Sequence, residues 1–279
     1  MKFENLINLS GQQFRRITGV KRNTFDKMVE IVTAADKIKK AKGGRPNSLT
    51  IENRILMTLE YLQHACLREY RTYLHIAASY GISESNTFEN IRWIENVLIK
   101  SKEFSLPGKK ALLKSDHEFE IVLVDATESP IERPKKKQRQ FYSGKKKRHT
   151  LKTQIVVDKK TGQIICTNCV NGKRHDFRVL KESRVHFCLN TKVLTDTGYQ
   201  GLQKLHANTA MPKKKSKKNP LSGEDKKQNR ELSSQRVLNE HIIGRIKRFK
   251  IVADKYRNRR KRFGLRFNLI AGICNHELK

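Results

Sequence analysis

The spacing of apolar residues divides the 279-residue chain into a helical first part and a second part in which strands dominate. Through residues 1 to about 40, Phe25, Met28, Val29 and Val32 recur at helical spacing. The stretch "KKAKGGRPNSLTIENRI" breaks that pattern, and Gly43, Gly44 and Pro46 mark a linker. Thr50 then caps a helix running through Leu62, with Ile55, Leu56, Leu59 and Leu62 on its apolar face. "REYRTYLHIAASYGISESNTFENIRWIENVLIK" reads as two helices joined by a tight turn at Gly81, with Ser83 as the N-cap of the second. Ile76, Ala77 and Tyr80 supply the buried face of the first; Phe88, Ile91, Ile94, Val97 and Leu98 supply that of the second. Beyond Pro107-Gly108 the pattern changes to strands: "FEIVLVDATESPIE", "HTLKTQIVVD", "QIICTNCV" and "KVLTD", with a helix at "HDFRVLKES" before the fourth. "PKKKSKKNPLSGEDKKQNR" is Lys-rich and apolar-poor and is expected to be a loop. A long helix follows over "SSQRVLNEHIIGRIKRFKI", with Leu238, Ile242, Ile246 and Phe249 as its core stripe. No internal repeat is visible. The expected class is α+β. It divides into a helical segment (1–45), a two-helix unit (46–102), a linker (103–118) and a mixed domain (119–279).

Charge narrows the partner. Lys and Arg number 60 against 27 Asp and Glu, a formal net charge of +33. Such an excess repels itself unless a polyanion offsets it. No apolar run approaches the roughly 20 residues a bilayer span needs. "MKFENLINLSGQQF" has neither the apolar core nor the cleavage site of a signal peptide. A nucleic-acid partner inside the cell, in the cytoplasm, is therefore expected, with no membrane and no small-molecule substrate. Five cysteines form no framework. Cys166 and Cys169 read as half a zinc site, but no second pair follows, and reduced structural thiols are expected.

Read with that charge, the paired helices around Gly81 are a helix-turn-helix, whose second helix would lie in the major groove. Its outward positions include Ser85, Asn86, Asn90 and Arg92, side chains able to read base edges. A plain helical hairpin is the alternative. Gly44-Arg45-Pro46 resembles a minor-groove hook, or is simply a basic linker. Between the first two strands, "RPKKKQRQFYSGKKKRHT" forms a basic hairpin loop. Lys145, Lys146, Lys147 and Arg148 would meet phosphates, and Phe141 and Tyr142 could stack on bases.

Three acids stand out. Asp125 ends the apolar run "IVLVDATE", where an unpaired carboxylate is costly. Asp196 follows Val193-Leu194 in "LTDTGYQGL". Glu240 lies on the long helix, where about 100° per residue puts Arg236, Glu240 and Lys247 within about 60° of one another, off the core stripe. Three carboxylates from two strands and a helix can hold two divalent cations for phosphodiester chemistry, and oxygen donors suit Mg²⁺ or, as a substitute, Mn²⁺. Arg236 and Lys247 would then meet the phosphate. The alternative is three ordinary acids, two at turns and one paired with Arg236. Asp176 reads as a helix N-cap or an outer-shell acid, and Asp158 as a strand-end turn residue.

The stretches "VDATESPIERP", "YSGKKKRHTLKTQIVVD", "GKRHDF", "DTGYQGL", "NRELSSQR", "EHIIGRIKRFKI" and "YRNRRKRFGLRFNLIAGI" cover most of residues 120–275. Together they resemble the insertion-sequence transposases of the IS5 type, within the DDE recombinases that also include the Harbinger-like transposases. Residues from about Gly44 to Lys100 resemble the helix-turn-helix that accompanies that catalytic domain. The resemblance implies an RNase H-like α/β/α domain with Asp125, Asp196 and Glu240 as catalytic acids holding two Mg²⁺ ions. It implies binding to terminal inverted repeats, cleavage by water, joining of the 3′-hydroxyl to target DNA, and a homo-oligomer. Arg236, Glu240 and Lys247 match the family's R-x3-E-x6-K. A Tyr that opens this signature is replaced by Ser233, which would serve as an N-cap. "QHACL", Gln63 to Leu67, departs from the pattern as apparent extra residues. A catalytically inactive or domesticated copy acting only as a DNA-binding protein is the alternative.

Overall fold

The computed structural model describes residues 2–63, 71–113, 119–215 and 220–279. Most of the apparent extra residues, 64–67, and the end of the expected linker, 114–118, lie outside these.

Five helices come first: α1 (Gly11–Thr18), α2 (Arg22–Lys40), α3 (Ile51–Gln63), α4 (Tyr73–Tyr80) and α5 (Glu84–Lys100). Their starts and stops follow the expected chemistry. Ser10 and Gln13 form a capping box at α1, and the Thr50 hydroxyl accepts the Asn53 N–H at the start of α3. Gly81 closes α4 with φ of 68°, in the left-handed region that costs glycine little. The Ser83 hydroxyl accepts the Asn86 N–H to open α5. Ile76, Ala77 and Tyr80 of α4 are buried, as are Ile91, Ile94 and Leu98 of α5. Phe88 differs from the expected core position: it is 39% exposed and meets Tyr73 edge-on at the rim.

The second part is built on a mixed sheet. Its strands are β1 (Ile121–Pro130), β2 (Tyr142–Ser143), β3 (Arg148–Asp158), β4 (Ile164–Asn171), β5 (Lys192–Leu194) and β6 (Thr209–Ala210). A short helix α6 (Gln138–Phe141) precedes β2, and α7 (Asp176–Ser183) follows β4. Antiparallel pairing joins β1 to β3 and β3 to β4, whereas β5 runs parallel to β1 and β6 parallel to β5. The C-terminal elements are α8 (Gly223–Lys247), α9 (Lys250–Ala253) and α10 (Phe263–His276). Strand alternation splits the sheet between two cores. Leu123, Ile155 and Val157 face the side of α8 and α10; Val122, Val124 and Val156 face the side of α7. The first of these cores is continuous with the N-terminal helices, running from Leu6 and Phe25 through Ile55 and Ile94 to Phe267 and Ile270. The α10 backbone also presses so closely on the chain leaving α5 that a Cβ at Gly272 would overlap the Phe104 carbonyl.

Two expectations change. The Lys-rich segment is not all loop: α8 starts at Gly223, where Ser222 and Asp225 form a capping box and Lys213 pairs with Asp225 at 2.5 Å. Helix-favouring Glu, Lys and Gln extend the helix without an apolar stripe. Ser233 therefore lies inside α8 and caps nothing. Cys166 and Cys169, three apart on β4, pack into opposite cores, so they cannot share a metal, and neither is in a disulfide.

Candidate active site

Register alone brings two acids together. The last paired positions of the parallel β1–β5 ladder are Leu123 and Leu194. Two residues further on, on the same face, come Asp125 and Asp196, and Asp196 keeps extended backbone (φ −86°, ψ 175°). Neighbouring strands lie about 4.8 Å apart. Asp125 sits in the strand and its Oδ1 accepts the Ala126 N–H at 2.7 Å. Asp196 caps a short 3-10 turn, Thr197–Tyr199, accepting the Gly198 N–H at 2.9 Å. Asp196 is thus a turn residue and a neighbour of Asp125 at once.

The electrostatics are those of a crowded acidic pocket. Burial pushes the Asp125 carboxyl up to about 6; the Ala126 N–H and Arg236 pull it down, while Asp196 and Asp176 push it further up. The Arg236 guanidinium stands 3.8 Å from Asp125, a loose partner. Tyr199 is fully buried beside these three acids, its hydroxyl held well above its usual range by burial first and the carboxylates second. That hydroxyl, the Arg236 Nε and both polar atoms of the buried Asn239 amide find no hydrogen-bond partner among the described residues. A desolvated carboxylate beside a second carboxylate, with one loosely paired cation and the unpartnered Tyr199 hydroxyl nearby, is a donor set that a divalent cation would suit.

Glu240 is placed differently. Along α8, Arg236 reaches Asp125 and Lys247 donates to the Glu128 carbonyl at 3.5 Å. Both touch β1, so the face between them looks onto the strand that carries Asp125. Glu240 lies between them along the helix, rotated about 40° outward from Arg236. It is exposed and bonds to no described residue. Among the described residues no three His, Cys, Asp or Glu groups stand close enough to hold a metal ion. The structure therefore assembles the two strand acids and leaves the helix acid on the rim. Burial lowers the Lys247 ammonium, with Lys146 adding to the effect. The basic loop thereby comes close to the C-terminal end of α8.

Asp176 is not a helix cap; His175 holds that position and caps with no side-chain bond. Asp176 instead receives Lys152 Nζ at 2.8 Å and flanks Gly198 opposite Asp196. A Cβ at Gly198 would come within 2.7 Å of the Asp176 carboxylate and 2.9 Å of that of Asp196, which explains the glycine. Asp158 accepts the N–H groups of Lys160 and Thr161 at the β3–β4 turn.

The surfaces that the sequence offers to DNA are uneven. Lys145, Lys146, Lys147 and Arg148 are all exposed, as is Tyr142. Phe141 is buried with the Arg260 guanidinium 4.3 Å over its ring, so it is not free to stack on a base. On α5, Ser85, Asn86 and Arg92 are exposed. Asn90 is engaged: its oxygen accepts Arg54 Nε at 2.7 Å and its NH₂ donates to the Asn86 carbonyl at 2.8 Å. Arg45 and Pro46 line a polar cleft of about 460 Å³ with Lys39, Asn86 and Trp93, so the linker lies along the outer face of α5. Among the described residues no helix is long and apolar enough to cross a membrane.

Residues 124–275 match the model of the DDE superfamily endonuclease, and residues 47–103 match that of the helix-turn-helix of DDE superfamily endonucleases. A probable transposase for the insertion sequence element IS702, from Microchaete diplosiphon, is 50% identical over 278 residues, covering 100% of this chain and 99% of that protein. No solved structure matches.

Proposed function

The chain belongs to the DDE superfamily of endonucleases, and on that premise we propose that it is a transposase of the IS5 type, one that binds the terminal inverted repeats of its own element, cuts there and joins the freed ends to target DNA. The observation that carries this reading is the Asp125–Asp196 pair, set side by side by the β1–β5 register beneath the face of α8 from which Arg236 and Lys247 reach β1. Antiparallel β4–β3–β1 continued by parallel β5 and β6, with helices on both faces, supports an RNase H-like domain.

Asp125, Asp196 and Glu240 would hold two Mg²⁺ ions, with Mn²⁺ as a substitute. The ions would supply charge to activate the attacking oxygen and to stabilise the leaving one. Glu240, exposed and unbonded on the rim, would have to turn inward to complete the set. Arg236 holds Asp125 in the free protein and turns to a non-bridging phosphate oxygen when DNA arrives, since guanidinium pairs well with phosphate. Lys247, Lys146 and their loop neighbours Lys145, Lys147 and Arg148 hold the backbone to either side. In the first step a water oxygen forms a bond to phosphorus and the P–O3′ bond breaks, leaving a 3′-hydroxyl. In the second, that hydroxyl attacks a target phosphate and a 3′-oxygen of the target leaves. Ser85, Asn86 and Arg92 read the repeat from the major groove. Two ends and one target imply a homo-oligomer.

The test is incubation of the purified chain with duplex DNA carrying its own element ends and Mg²⁺. A nick at the element end followed by a joined product supports the reading. Binding with neither product assigns the chain to DNA binding alone, and nicking without joining assigns it to a nuclease.

A further inference from the structure

The catalytic sheet and the DNA-reading helix are joined by a buried charged cluster that the chemistry above does not use. Glu95, on α5, is 0% exposed, and its carboxylate receives two arginines from the other end of the chain. Arg266 of α10 donates from Nε to Oε1 at 2.6 Å. Arg262 donates from Nε and an NH₂ to Oε2 at 3.0 and 2.7 Å, and to Asn96 at 3.0 Å. Arg266, itself 3% exposed, also donates to the Tyr256 hydroxyl at 2.9 Å and to the Tyr73 hydroxyl at 3.3 Å.

The cluster leads directly to the catalytic strand. Tyr256 N–H donates to the carbonyl of Pro130, the last residue of β1, at 2.8 Å. Tyr256 also bridges to Ile131. One continuous chain of hydrogen bonds thus runs from β1, which carries Asp125, through Tyr256, Arg266 and Glu95 to α5. A buried carboxylate held by two guanidiniums is weak evidence for stability, because an apolar replacement can be as stable; its best-attested value is fixing one arrangement against others.

Resting on the transposase reading, we propose that Glu95, Arg262 and Arg266 are positioning residues that set which phosphate is cut, by fixing the distance along the DNA between the helix that reads the repeat and the acids that cleave it. Successive phosphates of one strand are about 3.4 Å apart along the helix axis, so slack of that size between α5 and β1 moves the cut by one nucleotide. A three-sided ionic clamp tolerates far less, because its donors and acceptor must stay within hydrogen-bond range. The continuous apolar core between the two parts keeps them together; the clamp keeps them in register.

The experiment uses the full chain on duplex DNA carrying its own element ends. Three properties are measured: affinity for the repeat, the nick position at nucleotide resolution, and the hydroxyl-radical footprint, which needs no cleavage by the protein. Glu95→Asp shortens the acid by one methylene, and Arg262→Gln removes the more exposed of the two arginines. Both are expected to bind the repeat as the wild type does. Their nicks should spread to phosphates neighbouring the wild-type one, and the boundary between the footprints of the two parts should blur. Glu95→Gln should do the same more strongly. If Glu95→Gln fails to fold, Arg262→Gln carries the test, because its loss leaves Arg266 paired with Glu95. Nicks confined to the wild-type phosphate, with an unchanged footprint, would overturn the proposal even if the rate falls. A wild-type chain that footprints the repeat but never nicks it would count against the transposase reading; the footprints of the variants would still decide the register.

Discussion

Asp125 and Asp196 lie across from each other two residues beyond the last paired positions of β1 and β5, and among the described residues only the Arg236 cation, at 3.8 Å, pairs with Asp125. From this pair and its surroundings come the expectations below.

Without a cation, Asp125 should cost stability near neutral pH. Its folded carboxyl is raised from 3.8 to about 6. Between those values the folded chain keeps a proton that the unfolded chain has lost, so stability falls as pH rises through the window and is flat above it. Two units correspond to about 2–3 kcal/mol. Asp125→Asn is therefore expected to raise stability at pH 7 in chelator and to change it little at pH 4. Added Mn²⁺ should stabilise the wild type by mass action and not the variant. Denaturant titrations at the two pH values check this; equal stability gains at both would assign the gain to something other than charge.

Replacing Lys145, Lys146 and Lys147 together by Ala should flatten the salt dependence of DNA binding. Each phosphate contact contributes about −0.9 to the log–log slope on duplex DNA, so the loss is up to about 3. Sequence preference should not change, because three adjacent exposed lysines on one turn are expected to contact backbone rather than bases. Competition binding over a range of salt, with repeat and unrelated duplexes, gives both quantities; an altered preference would make this loop a base reader.

Asn86 and Asn90 of α5 should part company. Asn86 is exposed beside the cleft that Arg45 lines, and Asn86→Ala is expected to relax preference at one base pair by about 1–3 kcal/mol. Asn90 spends its amide on Arg54 and the Asn86 carbonyl. Asn90→Ala should lower the melting temperature and weaken binding to all sequences alike. A selection over randomised repeat positions separates the cases, and a base-specific effect of Asn90→Ala would contradict the assignment.

Much of this was legible in the sequence because it follows local chemistry. Thr50, Gly81 and Ser83 punctuate the first helices by turn and cap preferences that need no tertiary context. The apolar run before Asp125 and the short run before Asp196 foretold two strands bearing acids, although β1 does not end at Asp125 but continues to Pro130. What stayed hidden depends on partners far along the chain. Asp176 looked like a cap until β3 supplied Lys152, and Asn90 looked like a base reader until α3 supplied Arg54. Glu95 drew no reading from the sequence, and only Arg262 and Arg266, more than 160 residues later, partner its buried carboxylate. Its one sequence signal was its place between Ile94 and Leu98, on the apolar side of α5. Phe141 misled for a similar reason, since Arg260 covers it. The extent of α8 was missed because charge runs conceal helices that are held by caps instead of an apolar stripe.

The central claim is that Asp196 acts by its charge and not by its turn. Asp196→Asn keeps the side-chain shape and an oxygen to accept the Gly198 N–H, but removes the charge beside Asp125. The measurement is the rate of nicking of the element ends in Mg²⁺ by Asp196→Asn, with folding and repeat binding checked on the same preparation. The account predicts a folded protein that binds the ends normally and nicks them slower by several orders of magnitude. Asp125→Asn and Glu240→Gln should match it without additive loss, since each alone disables one shared site. Nicking by Asp196→Asn at close to the wild-type rate would contradict the account and leave Asp196 a turn residue, with Asp176, across Gly198, the acid to examine in its place.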